Sequence, residues 1–368
     1  MGTSAGAGPR TEPGRLQPPV SSVLDLIGDT PVVELRKFDA GKCRLFIKLE
    51  SQNPGGSIKD RIARSMIDAA EREGWLKPGG TIVEATAGNT GLGLAQVGIP
   101  KGYRIVLIVP DKMSREKVQH LRALGAEVRL TRSDVGKGHP EYYQDMAERL
   151  AAETPGAFYA NQFANPANPL AHETTTGPEI WRQMEGDVDA VVVGVGSGGT
   201  LTGLGRFFAK VSPKTEMVLA DPAGSVLAPL VRTGKMEEAG SWTVEGIGED
   251  FVPPNADLSL VKKAYSVSDR HSMLAVRDLL SREAYWPVPP PARCFPPRCA
   301  IAASSSRPGA SSPSYAIRAT SICPRCSTIS GWPSRAWPSA SSMAICATSS
   351  RARIARAAQS SSARTTRC

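Results

Sequence analysis

Between Leu45 and Glu283 the chain alternates short β-branched apolar segments with longer segments whose apolar residues recur every three or four positions. This alternation constrains the fold more than any other feature. A strand followed by a helix and another strand pairs in parallel through a right-handed crossover, so the segments imply α/β layers with largely parallel sheets. Leu45–Leu49, Thr81–Glu84, Arg104–Val109, Glu127–Thr131, Ala190–Val195, Met217–Ala220 and Ala264–Val267 read as strands. Asp60–Glu73, Thr90–Val97, Ser114–Leu124, Glu141–Glu153, Thr174–Met184, Thr200–Lys210 and Asp269–Glu283 read as helices. In the first of these helices Ile62, Met66, Ile67 and Ala70 fall on one face. The segments show no internal repeat.

Composition splits the chain in two. The 368 residues carry a net charge of +9, yet after Glu283 there is no Asp, Glu or Lys and there are 11 Arg. Removing those arginines leaves −2 for the first 283 residues, and six of the seven Cys also lie in the tail. A mildly acidic globular body is thus followed by a compositionally foreign segment. Residues 1–20, rich in Gly, Pro and Ala, read as a disordered arm without the apolar stretch of a secretory leader. Apolar runs such as Ala190–Val195 are too short to cross a membrane, so a cytoplasmic location is expected. Cys323 and Cys326 form a CxxC unit, and Cys294 and Cys299 lie upstream. The tail has no second CxxC and no His, so no metal site is expected. A basic, Ser-rich tail can attract nucleic acid without sequence preference, but no aromatic stacking pattern supports a dedicated module. Cys43 and His172 take ordinary readings, a packed thiol and a packing or turn-capping imidazole.

Two glycine-rich turns follow strands and open helices: Ala87–Gly91 (AGNTG) and Gly196–Thr200 (GSGGT). Glycines let the backbone approach an anion, and the helix start offers free N–H groups and a favourable dipole. Ser197 and Thr200 add hydroxyls suited to a phosphate monoester. Gly194, Gly196 and Gly199 also fit GxGxxG, with Asp221 lying 22 residues beyond Gly199, which imitates a dinucleotide fingerprint. The decision between these readings comes from Asn53–Arg61 (NPGGSIKDR). Lys59 follows a Gly-Gly turn and starts an amphipathic helix. There desolvation and the helix dipole lower an amine's pKa and suit it to Schiff-base formation and proton transfer.

NPGGSIKDR, Thr86–Gly91 (TAGNTG), GSGGT and Glu245–Pro253 (EGIGEDFVP) together resemble the motifs of the fold-type-II pyridoxal-phosphate enzymes of the cysteine synthase and cystathionine β-synthase family. Ser22–Val32, Asp111–Lys117 and Asn161–His172 match in the same order, so the resemblance covers about residues 21–283. It implies two three-layer α/β domains of tryptophan synthase β-like type. The smaller would span 53–165 and carry the lysine and the substrate loop. The larger would combine 21–52 with 166–283 and carry the phosphate loop. The resemblance further implies pyridoxal 5'-phosphate held by Lys59, which would also take the substrate Cα proton. Asn89 would bond the cofactor's ring hydroxyl, and Gly196, Ser197, Gly198, Gly199 and Thr200 its phosphate. Thr86, Asn89, Thr90 and Gln162 would hold the substrate carboxylate, and Gly246 would support the amino-acid site through its backbone. Ala87 stands where the family usually has Ser. The implied reaction is β-replacement on serine or O-acetylserine by sulfide, giving cysteine, or by homocysteine, giving cystathionine. A homodimer is the family's expectation. The Glu249–Asp250 pair and Asp111–Lys117 lean towards the cystathionine β-synthase side. A serine or threonine dehydratase of the same fold is the alternative enzyme, against which Asp60–Arg61 and Asn89–Thr90 argue. An inactive scaffold whose basic tail binds nucleic acid non-specifically is the alternative outside enzymes.

The tail departs from the family abruptly, and we read it as the product of a shifted frame. One guanine inserted after the Glu283 codon permits Ala284–Cys294 (AYWPVPPPARC) to become GLLAGSSSGTL, and Thr320–Trp332 to become NKYLSKMFNDFWM, both family-like. In the chain as it stands, Pro290 falls near where the family places a serine beside the pyridine nitrogen. The end of the larger domain is expected to be missing, with weak cofactor retention, low activity and exposed apolar surface as consequences.

Overall fold

The computed structural model describes residues 19–285, except Lys42, Ala87, Lys112, Ser114 and Lys137, and the backbone of residues 342–347. Two sheets organise these residues. The first contains β3 (Thr81–Ala85), β4 (Arg104–Pro110), β5 (Glu127–Thr131) and β6 (Ala157–Tyr159), all parallel, in the order β5-β4-β3-β6. Helices α1 (Lys59–Arg72), α2 (Asn89–Gly98) and α3 (Arg115–Ala123) cover one face, and α4 (Tyr143–Glu153) covers the other. Ile105, Leu107 and Val109 of β4 pack into the first layer, while Val106 and Ile108 pack into the second. With both faces buried, the strand has no polar side, which is why Arg104–Val109 reads as a continuous apolar run.

The second sheet has six strands in the order β1-β2-β10-β7-β8-β9. They are β1 (Val32–Glu34), β2 (Arg44–Leu49), β7 (Ala190–Val193), β8 (Glu216–Pro222), β9 (Val261–Val267) and β10 (Ser342–Ala347). β7, β8 and β9 run parallel, as the crossovers predict, whereas β1 is antiparallel to β2. Helix α9 (Asp269–Glu283) covers one face through Ala275 and Leu279. Helices α6 (Gly177–Gln183), α7 (Gly199–Val211) and α8 (Leu227–Thr233) cover the other. Along β7 the faces alternate, with Val192 on the α9 side and Val191 and Val193 on the opposite side.

Two differences from the sequence expectations are informative. The predicted helix Thr174–Met184 begins earlier, at α5 (Ala167–Ala171), and runs through a π-helical turn at His172–Thr176 into α6. Pro166 and Pro169 hide this start from a periodicity argument. Both lie in or before the first turn, where a missing N–H costs nothing. The tail, expected to lack structure, supplies β10 between β2 and β7, antiparallel to both. The rest of the tail, Pro290 included, and the N-terminal arm up to residue 18 lie outside the described residues.

The sheets are tied through a buried charge cluster. Arg61 Nε donates to Glu50 Oε2 at 2.7 Å, and its Nη1 and Nη2 donate to the two oxygens of Glu179, each at 2.7 Å. Lys48 Nζ lies 2.9 Å from Glu179 Oε2, so two cations face two carboxylates. The Glu179 carboxyl is held down to about 2 against its burial, mainly by hydrogen bonding to Arg61 and then by the charges of Arg61 and Lys48. Because Arg61 is the third residue of α1, this cluster fixes the helix that begins with Lys59 against β2 and α6.

Candidate active site

The starts of α2 and α7 follow β3 and β7, which have parallel partners, whereas α1 follows β2, antiparallel to both its neighbours. Lys59 is the first residue of α1, and its backbone N–H donates to Ser57 Oγ at 3.2 Å. The neighbouring Asp60 accepts the Gly55 N–H on Oδ2 at 2.5 Å, which folds the Gly55–Gly56 turn back onto the helix. Lys59 is partly accessible, yet its amine sits deep enough that loss of water lowers its pKa to about 8, against a smaller opposing effect of Glu249. The Glu249 carboxyl is raised to about 8, by desolvation first and then by the charges of Asp250 and Asp221. A substantial fraction of Lys59 is therefore neutral near pH 8, as nucleophilic and proton-transfer roles require.

Beyond β3, Thr86 is buried and its Oγ1 accepts the Gly88 N–H at 3.1 Å. Asn89 opens α2. A Cβ at Gly93 would stand 2.8 Å from the Lys59 carbonyl oxygen, so α2 crosses directly over the start of α1. Thr90 Oγ1 donates to Gln162 Oε1 at 2.6 Å. The Gln162 N–H donates to Glu84 Oε2 at 3.1 Å, and the Gln162 carbonyl accepts from Asn168 Nδ2 at 2.6 Å. Asn168 Nδ2 also donates to Ser197 Oγ at 2.9 Å. One chain of contacts thus joins Thr90 and Gln162 to the Gly196–Thr200 turn. Ala87 lies outside the described residues.

Beyond β7, Gly198 takes φ +84°, and a Cβ there would lie 2.6 Å from the Ala256 N; neither its conformation nor its space admits a side chain. Gly199 lies directly against the Asn168 amide. A Cβ at Gly196 would come within 2.7 Å of the Gly246 carbonyl, so the segment after Glu245 rests on the start of this turn. The turn leads into the N-terminus of α7, and Ser197 and Thr200 carry the hydroxyls. The donor set is backbone N–H groups, two hydroxyls and a helix dipole with no lysine or arginine in the turn, which fits a phosphate held by hydrogen bonds.

The dinucleotide reading fails on the same geometry. Asp221 is buried at the end of β8, and its Oδ2 accepts the Ala228 N–H of α8 at 2.8 Å. A Cβ at Gly194 would meet Ile247 at 2.6 Å. The fingerprint-like residues are thus used for capping and close packing.

All the cofactor- and substrate-site residues expected from sequence occupy the two turns, the adjoining helix starts, or the Gln162 and Gly246 segments that touch them. Asn168 and Glu84 were missed, and His172, expected to pack or cap a turn, packs and also bonds the phosphate turn. Asn168 and His172, four residues apart in the α5 and π-turn helix, contact the hydroxyls of Ser197 and Thr200. Glu84, fully buried in β3, carries a carboxyl raised to about 8 by desolvation. A lone acid in the apolar strand TIVEA and the polar pair in NPLAH were the available signals. Among the described residues no cluster of His, Cys, Asp and Glu could hold a metal, and no helix is long and apolar enough to cross a membrane.

A family model described as pyridoxal-phosphate dependent enzyme matches residues 23–292. Cystathionine beta-synthase of Apis mellifera is 41% identical over 277 residues, 74% of this chain and 55% of that protein. Cysteine synthase 3 of Caenorhabditis elegans is 45% identical over 263 residues, 71% of this chain and 75% of its own length. Among solved structures, O-ureido-L-serine synthase superposes with a TM-score of 0.67 at 35% identity, covering 73% of this chain and 82% of that one. The chain spans about half the length of the cystathionine beta-synthases it matches. It belongs to the fold-type-II pyridoxal-phosphate enzymes of the cysteine synthase and cystathionine β-synthase family, and pyridoxal phosphate is its cofactor. The buried amine of Lys59 and the hydroxyl-lined turn before α7 fit the two ends of that group.

Proposed function

We propose that this chain's site is built for β-replacement on serine or O-acetylserine by a sulfur nucleophile, sulfide or homocysteine, yielding cysteine or cystathionine. The observation that carries this reading is Lys59 with its lowered pKa at the start of α1, directly beneath the α2 start that presents Asn89 and Thr90. Bound pyridoxal phosphate supplies the electron sink for loss of the β-substituent. Lys59 holds the cofactor's aldehyde end and moves the proton at the substrate Cα. Thr86, Asn89, Thr90 and Gln162 would hold the amino acid's carboxylate, and Asn89 would also hydrogen-bond the cofactor's ring hydroxyl. Gly196, Ser197, Gly198, Gly199 and Thr200 would hold the phosphate, and Gly246 would support the amino-acid site through its backbone. The residues divide into a smaller domain, 53–165, and a larger one, 21–52 with 166–283, and the protein works as a homodimer.

The test is borohydride reduction of the chain loaded with pyridoxal phosphate, followed by peptide mapping. The label is expected on Lys59, and a label on another lysine overturns the reading. Assays with serine and O-acetylserine against sulfide and homocysteine then identify the reaction. Release of pyruvate with neither sulfur product would support the dehydratase alternative. The tail reading has its own check. A gene carrying one added guanine after the Glu283 codon is expected to encode a chain that retains more cofactor and turns over faster. Equal cofactor content in the two chains would remove the shifted frame as a functional defect.

A further inference from the structure

Asn168 and His172 sit behind the phosphate turn on one helix, spaced so that both reach the same side. Asn168 commits its amide hydrogens to the Gln162 carbonyl at 2.6 Å and to Ser197 Oγ at 2.9 Å. Ser197 therefore receives a hydrogen bond from the protein, and its own proton stays free. His172 Nδ1 lies 3.0 Å from Thr176 Oγ1, and Nε2 lies 3.2 Å from Thr200 Oγ1. The imidazole is buried, and burial first, then the charges of Lys59 and Arg61, hold it neutral. A neutral imidazole has one N–H and one acceptor, so two tautomers are available. If Nδ1 carried the proton, Nε2 would take the Thr200 hydrogen and leave nothing for an anion. If Nε2 carries it, Thr176 donates to Nδ1, Nε2 donates to Thr200, and the Thr200 proton points outward.

The ring has little freedom to do otherwise. His172 begins the π-helical turn, a local widening that recurs at functional sites. A Cβ at Gly203 of α7 would fall 2.7 Å from the His172 Cβ and collide with the Pro169 carbonyl. Helix α7 is thus seated on this turn with no slack, and Thr200 is carried on its first turn.

We propose that Asn168 and His172 are positioning residues that orient Ser197 and Thr200 as outward donors to a phosphate, through the hydrogen-bond relay Thr176 to His172 Nδ1 and His172 Nε2–H to Thr200. This rests on the assignment of the 196–200 turn to the cofactor's phosphate and adds the residues that give the turn its direction. Both act through the hydroxyls of Ser197 and Thr200. The relay predicts a phosphate-specific contribution to binding that leaves the aldehyde end at Lys59 unaffected.

The experiment compares full-length chains for their affinity towards pyridoxal phosphate and towards pyridoxal, which lacks the phosphate. His172→Phe is expected to weaken pyridoxal phosphate about five- to tenfold, the size of one lost hydrogen bond, and to leave pyridoxal affinity nearly unchanged. His172→Gln, whose amide can replace the Nε2 donor, restores most of the difference, whereas His172→Asn does not. In a Thr200→Val background the His172→Phe effect disappears, because its target hydroxyl is gone. Equal weakening of both ligands, or an undiminished effect in that background, would mean that His172 only packs the helix and would overturn the proposal. Should His172→Phe fail to fold, Thr176→Val removes the other end of the relay and is expected to move the same affinity ratio in the same direction. Binding of inorganic phosphate, followed by phosphorus NMR in the same variants, separates the two claims. Loss of phosphate binding with no label on Lys59 would sink the cofactor assignment and spare the relay. A Lys59 label with phosphate binding unchanged by His172→Phe would do the reverse.

Discussion

The two glycine-rich turns look alike in sequence and are built differently. Each follows a parallel strand and opens a helix. The 196–200 turn is closed in by its surroundings: Gly196 lies on the Gly246 carbonyl, Gly198 on Ala256 and Gly199 on the Asn168 amide. Its hydroxyls are held from behind by an amide and a neutral imidazole. In the turn before α2, nothing lies within 4 Å of a Cβ placed on Gly88, and the support beneath is an ionisable acid, Glu84. A resident group favours a preformed, packed cradle, whereas a substrate that comes and goes needs a turn with room around it. Gly91 at the far end of the α2 turn is packed as well, a Cβ there meeting Thr86 Cγ2 at 2.8 Å, so the contrast rests on Gly88, where the turn leaves room.

The sharpest way to break this contrast is Gly199→Ala. The added methyl has no space against Asn168, so overpacking is expected to cost about 1–3 kcal/mol of stability and to strip the cofactor. Chemical denaturation and cofactor content after dialysis measure both. A variant with unchanged stability and full cofactor content would show that the cradle is not packed as described.

A pH-dependent effect separates the supports of the two turns. Glu84 has its carboxyl raised to about 8 from 4.5, so between those values the folded chain holds a proton that the unfolded chain has lost. Its contribution to stability is complete below pH 4.5 and is lost as pH rises through 8, at up to about 1.4 kcal/mol per pH unit. Glu249 adds in the same direction over the same window. Lys59, lowered from 10.5 to about 8, has the opposite sign and acts only above 8. Glu84→Gln is expected to flatten the fall in melting temperature between pH 5 and 8, measured on the cofactor-free chain. His172 is neutral in the folded chain but charges in the unfolded chain below pH 6.5, so it opposes that fall between pH 5 and 6.5, and His172→Gln is expected to steepen the decline there. Equal slopes for the Glu84→Gln and unsubstituted chains would show that Glu84 ionises normally in the folded state.

Much of this difference was invisible in sequence for a physical reason. The strands and helices that bear the turns were legible because burial on two faces, or along one helical stripe, writes a period into the residues, as in Arg104–Val109 and Asp60–Glu73. Lys59 and both glycine turns were legible because their spacing relative to those elements is local. Asn168 and His172 act across 29 and 28 positions respectively, on a helix whose start two prolines conceal and whose phase a π-turn shifts. Their roles depend on which residues α7 is pressed against, and that is a property of packing. Strand β10 is the extreme case, since nothing local marks Ser342–Ala347 as the partner of both β2 and β7.

The smallest predicted effect tests the open turn directly. At Gly88 a Cβ meets nothing within 4 Å. Gly88→Ala is therefore expected to change stability by no more than about 0.5 kcal/mol and to leave cofactor content intact. If the space is substrate space, the methyl must compete with the amino acid beside Thr86 and Asn89. The expected signature is a raised KM for serine or O-acetylserine with kcat little changed, as for removal of binding that is uniform along the reaction. Steady-state kinetics of a chain carrying the restored frame would read this most clearly. A loss of stability comparable to that of Gly199→Ala would show that both turns are packed alike, and the division between a fixed cradle and an open substrate turn would fall.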